Sequence, residues 1–190
     1  MVKDGRVSWL DLGAPDLSDD ARAIVEATRE RLGFTRNLHT VTGHNSPLLV
    51  AIEGVSQALM RDPEEGVSDK ERELVALVVS VENQCPACIF GHASQLRRIT
   101  GDATWVARVE ANYRHADLSP REKAMADYAI KLTVAPAEVE ESDLAPLREN
   151  GFSERDILRI AAIAAYFNMS NRLNSGLGVR PNDGAYAANR

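Results

Sequence analysis

Apolar residues along this chain recur every three to four positions, and no long stretch alternates with period two. Ala21, Ile24, Val25 and Leu32 follow Ser18 and two aspartates and stop at Gly33, the signature of an amphipathic helix with a polar cap and a glycine end. Residues 34–45 are polar and carry no clear pattern. Ser46-Pro47, a cap followed by proline at the first helical position, opens a second helix to about Met60. Ser68 with Glu71 three residues on forms a capping box. The helix it opens, SDKERELVALVVSVEN, is apolar almost all round from Leu74 to Val81, as a core-buried helix is. Asn83-Gln84 end it, and Cys85-Pro86 start the next, which runs to about Thr100.

After Gly101-Asp102 a short helix is expected through about Asn112; Ser119 with Glu122 then caps SPREKAMADYAIKL. Residues 138–149 read as helical, stopped by Asn150-Gly151, and Ser153 opens the last long helix, SERDILRIAAIAAYFNMSNRL. The fold class is therefore all-α: a compact multi-helix domain over residues 17–178, with an arm at 1–16 and a loose tail at 179–190. VSDKERELVALVVS, LSPREKAMADYAIK and FSERDILRIAAIAA share one grammar of apolar residue, serine cap, charged first turn and apolar body. It reads equally as an internal duplication and as the common form of capped buried helices.

Composition narrows the partners. The 190 residues are 44% hydrophobic and 26% charged with a net charge of −6, as for an ordinary soluble globular chain. No basic block suggests nucleic acid. No apolar run reaches the roughly eighteen residues that would suggest a membrane span. The N-terminus lacks the apolar core of a secretory signal, so the expected location is the cytoplasm.

The chemistry concentrates in CPACIFGH, residues 85–92, which holds both cysteines of the chain. Cys85 falls at the helix start, Cys88 three residues later on the same face, and His92 one further turn along. A helix N-terminus stabilises a thiolate, and a nearby imidazole can take a thiol proton. Two thiols at this spacing can close a disulfide after one of them is oxidised. A zinc site would need a fourth ligand beside Cys85, Cys88 and His92, with His39, His44, His115 or a carboxylate as candidates, and the second half of the usual zinc pattern is missing. Simple burial of two small cysteines is the remaining reading. The spacing favours the redox pair. Asn168, Asn171 and Arg172 either line a neighbouring subunit's site or brace the last helix, and side-chain bonding at helix ends favours bracing.

Glu73, eleven residues, then Cys85-x-x-Cys88-x-x-x-His92 resembles the AhpD-like alkylhydroperoxidases of the carboxymuconolactone decarboxylase superfamily. The text SDKERELVALVVSVENQCPACIFGH and the later FNMSNRLNSGLGV are similar to its peroxidase-related branch, and the likeness extends over residues 30–180 or so. The resemblance implies an all-helical homo-oligomer that reduces a small hydroperoxide, with no cofactor and no bound metal. Carried onto this chain, Cys88 attacks the peroxide, Cys85 resolves the product to a disulfide, Glu73 and His92 relay protons, and an external dithiol or thioredoxin-like reductant resets the pair. Glu73 is the one residue that only the resemblance singles out. The best-known members carry a histidine immediately before the second cysteine, where this chain has Ala87, so another group must serve there. That departure keeps open a dithiol/disulfide oxidoreductase or redox sensor without efficient peroxidase activity. A zinc-stabilised helical module stands behind both. The decarboxylase side of the superfamily works without a redox dithiol, and the intact C-x-x-C argues against that role.

Overall fold

The computed structural model describes residues 6–61 and 66–190. In chain order its helices are α1 (Asp19–Leu32), α2 (Asn37–Thr42), α3 (Ser46–Met60), α4 (Asp69–Glu82), α5 (Pro86–Thr100), α6 (Ala103–Asn112), α7 (Pro120–Val134), α8 (Ala145–Glu149), α9 (Glu154–Gly176) and α10 (Asp183–Ala187). Among the described residues there is no strand, in keeping with the all-α expectation. Helix α4 is the central element, packed against α5, α7 and α9. Its run from Leu74 to Ser80 is buried on every side, which is why this segment shows no polar face in the sequence. Around it gather Leu96, Val106, Met125, Ala129, Ile160 and Ile163, all fully buried.

The serine caps form as expected. Ser68 with Glu71, Ser119 with Glu122 and Ser153 with Asp156 each make both arms of a capping box. The caps of the first two helices also bind each other. Arg121 Nε donates to Glu71 Oε1 at 2.7 Å, and Lys70 pairs with Glu122 at 2.6 Å. The shared grammar of these segments thus marks helix starts that meet in space. Gly33 ends α1 and Gly101 ends α5, both with positive φ (78° and 68°), where glycine carries no Cβ penalty.

Four segments differ from the sequence reading. Residues 34–45 contain α2 and a further short turn of helix, because Leu38 and Val41 are buried against Val179 and Leu173. The cap of α3 is Asn45, whose side chain accepts from Leu48 N; Ser46 is already helical. Residues 138–149 form two separate pieces, Glu141–Leu144 as a tight 3-10 turn and then α8, with Val139 and Glu140 extended before them. The segment read as a loose tail is tied down. Arg180 N donates to Val7 O and Trp9 N to Leu177 O, joining it to the arm. Helix α10 packs on α5, where buried Arg97 donates to the carbonyls of Ala185, Tyr186 and Ala188 and Tyr186 meets Phe90 at 4.8 Å. Those partners lie some ninety residues apart, beyond the reach of any local pattern.

Candidate active site

The turn between α4 and α5 presents both cysteines. Gln84 adopts φ 51°, a left-handed conformation uncommon for a side-chain-bearing residue, and so reverses the chain directly before Cys85. Asparagines of α9 brace this turn. Asn83 Nδ2 donates to Asn168 Oδ1 at 2.9 Å and to Asn171 Oδ1 at 3.0 Å, while Asn171 Nδ2 donates to Ser80 Oγ at 3.1 Å. Arg172 bonds back to Asn168. These three residues brace the helix and its neighbouring turn within one chain.

Cys85 is the N-cap of α5 and Pro86 its first residue, as the sequence indicates. Both cysteines are free thiols and buried, Cys85 at 1% exposure and Cys88 at 9%. Asn174 Nδ2 lies 3.7 Å from Cys88 Sγ. Glu73, in the second turn of α4, meets His92 from α5: His92 Nδ1 is 2.7 Å from Glu73 Oε2, and each side chain is partly open to solvent. The His92 ring stands edge-on to Phe167 at 4.3 Å. Glu73 and His92 thus meet across α4 and α5, and the charge of His92 reaches Cys85 at the start of α5. Asn174 and Ser175 escaped the sequence reading. Their signal was present: asparagine recurs at 168, 171 and 174, a polar stripe on the buried side of an otherwise apolar helix.

The two thiols differ electrostatically. The Cys88 S–H donates to the Cys85 sulfur and draws Cys85 down to about 6; burial opposes this, and the Cys88 backbone N–H, the Ser175 hydroxyl and the charge of His92 assist it. Cys88 moves the other way, raised by that same bond to Cys85, by burial and by the Cys85 charge, with Asn171 and Arg36 pulling it back. At rest one negative charge sits on Cys85 and the proton on Cys88, as the helix dipole alone would arrange. Ultraviolet absorbance of the reduced protein is expected to show one thiolate per chain forming near pH 6, and the second only in strongly alkaline solution. A single two-thiol transition near the ordinary thiol value of about 8.5 would contradict this asymmetry.

Among the described residues no three His, Cys, Asp or Glu side chains assemble into a cluster able to hold a metal, so the fourth zinc ligand sought in the sequence is not brought to Cys85, Cys88 and His92. Among the same residues no helix is long and apolar enough to cross a membrane.

The site thus combines a buried thiol pair at a helix start with a carboxylate–imidazole pair joining α4 and α5 of an all-helical frame. Comparison with known proteins identifies that frame. The carboxymuconolactone decarboxylase family model matches residues 47–131. An uncharacterized peroxidase-related protein from Silicibacter sp. TM1040 shares 36% identity over 100% of both chains with a TM-score of 0.92. The alkylhydroperoxidase AhpD core protein from Ralstonia eutropha JMP134, also an uncharacterized peroxidase-related protein, shares 34% identity over 97% of each chain with a TM-score of 0.90. This chain belongs to the AhpD-like branch of the carboxymuconolactone decarboxylase superfamily. The debrominase Bmp8, solved with 2,3,4-tribromopyrrole, has the same fold at 21% identity and a TM-score of 0.77 over 95% of this chain and 96% of its own. The frame therefore serves more than one chemistry. No functionally curated protein matches this sequence.

Proposed function

We propose that the protein is a thiol-dependent hydroperoxide reductase in which Cys88 attacks and Cys85 resolves. The observation that carries this reading is the buried dithiol at the start of α5, where Cys85 feels the charge of His92, together with the 2.7 Å Glu73–His92 contact as the proton relay. Cys85, holding the charge at rest, takes the proton of Cys88 through the bond that already joins them. The Cys88 thiolate attacks the terminal peroxide oxygen; the O–O bond breaks, Cys88 becomes a sulfenic acid, and the leaving alkoxide takes a proton from His92 and departs as an alcohol. Cys85, again a thiolate once the relay has drawn off its proton, attacks the Cys88 sulfur. A Cys85–Cys88 disulfide forms, and hydroxide leaves as water with the remaining proton. An external dithiol, small or thioredoxin-like, gives two electrons and two protons to restore the pair. We include in this reading a homo-oligomeric cytoplasmic protein, with exposed Val55, Leu158 and Met169 suited to subunit contacts.

Dithiol/disulfide exchange is the second reading, favoured by the low Cys85, since exchange begins from a thiolate already formed. Burial of both sulfurs favours the smaller substrate. One equivalent of cumene hydroperoxide added to the reduced protein is expected to remove two free thiols per chain and release one equivalent of alcohol. Thiols that survive this treatment while disappearing rapidly with an oxidised dithiol would move the assignment to exchange.

A further inference from the structure

The polar stripe of α9 has no part in the mechanism above, yet one member of it touches a sulfur. Asn168, Asn171 and Asn174 recur every third residue and so share one side of the helix. Asn168 and Asn171 hold the cysteine turn through Asn83. Asn174, one turn further, reaches α5. Its Nδ2 donates to Ser170 O at 2.8 Å, lies 3.5 Å from Ser170 Oγ and lies 3.7 Å from Cys88 Sγ. Asn174 is 3% exposed, and a buried amide costs free energy unless its hydrogens find partners. The Ser170 carbonyl can only accept, so the Asn174 atom 2.8 Å from it is the amide nitrogen and not the amide oxygen. That nitrogen carries two hydrogens. With one given to Ser170 O, the other is free to face the sulfur, and Cys88 is met by a donor.

A thiol sulfur accepts hydrogen bonds weakly, whereas a thiolate is a charged acceptor whose bonds are shorter and roughly twice as strong. Cys88 keeps its proton at rest, so the contact with Asn174 is long in the resting protein. It strengthens when that proton passes to Cys85 and charge arrives on Cys88. A donor already aimed at the atom where charge develops favours that charged state over the resting one. The donor is also held in place. Phe167, two turns before Asn174 on α9, meets His92, one turn after Cys88 on α5, at 4.3 Å, so the two helices touch at both points. Ala87, next to Cys88, brings no side-chain donor of its own. We infer that Asn174 is a further catalytic residue, whose amide N–H donates to the Cys88 sulfur and stabilises the thiolate from which that sulfur attacks. Asn171, one turn earlier, acts on Cys88 in the same sense. The titratable and charged groups that bear on Cys88 are Cys85 from its own helix start, Arg36 and the Tyr166 hydroxyl. The catalytic part of the inference rests on the proposed role of Cys88 as the attacking thiol; the bond itself is tested without peroxide.

The test uses single-cysteine proteins, in which the sulfur–sulfur coupling is gone. In Cys85→Ser, thiolate absorbance and the rate of iodoacetamide alkylation report on Cys88 alone; Cys88→Ser reports on Cys85. Asn174→Leu, which keeps the bulk and removes the donor, is expected to move Cys88 thiolate formation about one unit higher and slow its alkylation about tenfold at neutral pH. Asn174→Asp, which keeps the shape and replaces the donor with an acceptor, is expected to move Cys88 at least as far in the same direction. Asn174→Leu is expected to move Cys85 by only a small part of the Cys88 shift. No shift at Cys88, a downward shift, or equal shifts at both thiols from Asn174→Leu would each overturn the inference. One measurement leaves Asn174 unchanged. In nitrogen-labelled Cys85→Ser protein, the side-chain amide signal of Asn174 is expected to shift with the same midpoint as Cys88 thiolate formation. An amide signal that ignores this titration would overturn the inference even where neither variant folds. No peroxide is involved, so failure of the peroxidase reading and failure of this inference give different results.

Discussion

Cys88→Ser is expected to lower hydroperoxide turnover by about a thousandfold or more, while Cys85→Ser still consumes one equivalent and then stops. The first change removes the sulfur that receives the oxygen, and the general losses on deleting a nucleophile are of at least this size. The second leaves the nucleophile in place and removes the thiol that closes the disulfide. Cys88 then remains as a sulfenic acid that dimedone traps at that residue alone. Steady-state turnover with an excess dithiol and mass mapping of the dimedone adduct separate the two variants. The result bears directly on the electrostatic asymmetry of the site. Cys85 holds the charge at rest, whereas Cys88 is the residue with more surface open to solvent, 9% against 1%. A dimedone adduct on Cys85 in the Cys88→Ser protein, with turnover retained there, would exchange the two roles and show that resting charge outweighs access.

Leu77→Ala is expected to cost about 2–5 kcal/mol of folding stability. Leu77 is fully buried in α4, the helix on which α5, α7 and α9 all pack, so its side chain leaves a cavity that no single neighbour can close. For a domain of ordinary stability, about 5–15 kcal/mol, such a loss takes much of the margin. Urea unfolding of the reduced protein gives the number, with Leu158→Ala, on an exposed position of α9, as the comparison. A surface change of that kind stays within about 0.5 kcal/mol. A loss under about 1 kcal/mol at Leu77 would contradict the central placement of α4. A large loss at Leu158 would report a subunit contact covering it.

The elements read most directly from sequence are those whose signals are local. Ser68, Ser119 and Ser153 each bond a backbone N–H three residues away, so the residues that make the cap are the residues that advertise it. The same holds for Cys85-Pro86, where cap and first helical residue are adjacent. Helix α2 is short and polar and forms because Leu38 and Val41 find Val179 nearly 140 residues on. Helix α10 forms where Arg97 gathers its carbonyls. Neither has an amphipathic period long enough to be recognised alone. Residues 138–149 show the converse, a helical composition broken into pieces before Pro146.

By itself, the sequence determined the all-α class, the buried character of α4, the helix starts, and the pairing of Cys85 with Cys88 on one helical face, since each depends on residues within a turn or two of one another. Through its spacing it also carried the likeness that singled out Glu73. Tertiary structure alone decided that Glu73 and His92 touch, that asparagines of α9 brace the cysteine turn, that the charge rests on Cys85, and that Arg36 and His39 meet on buried Glu53. Those relations join helices distant in the chain, and the energy of a charge depends on burial and on opposite charges a few ångströms away, which no local pattern of residues encodes.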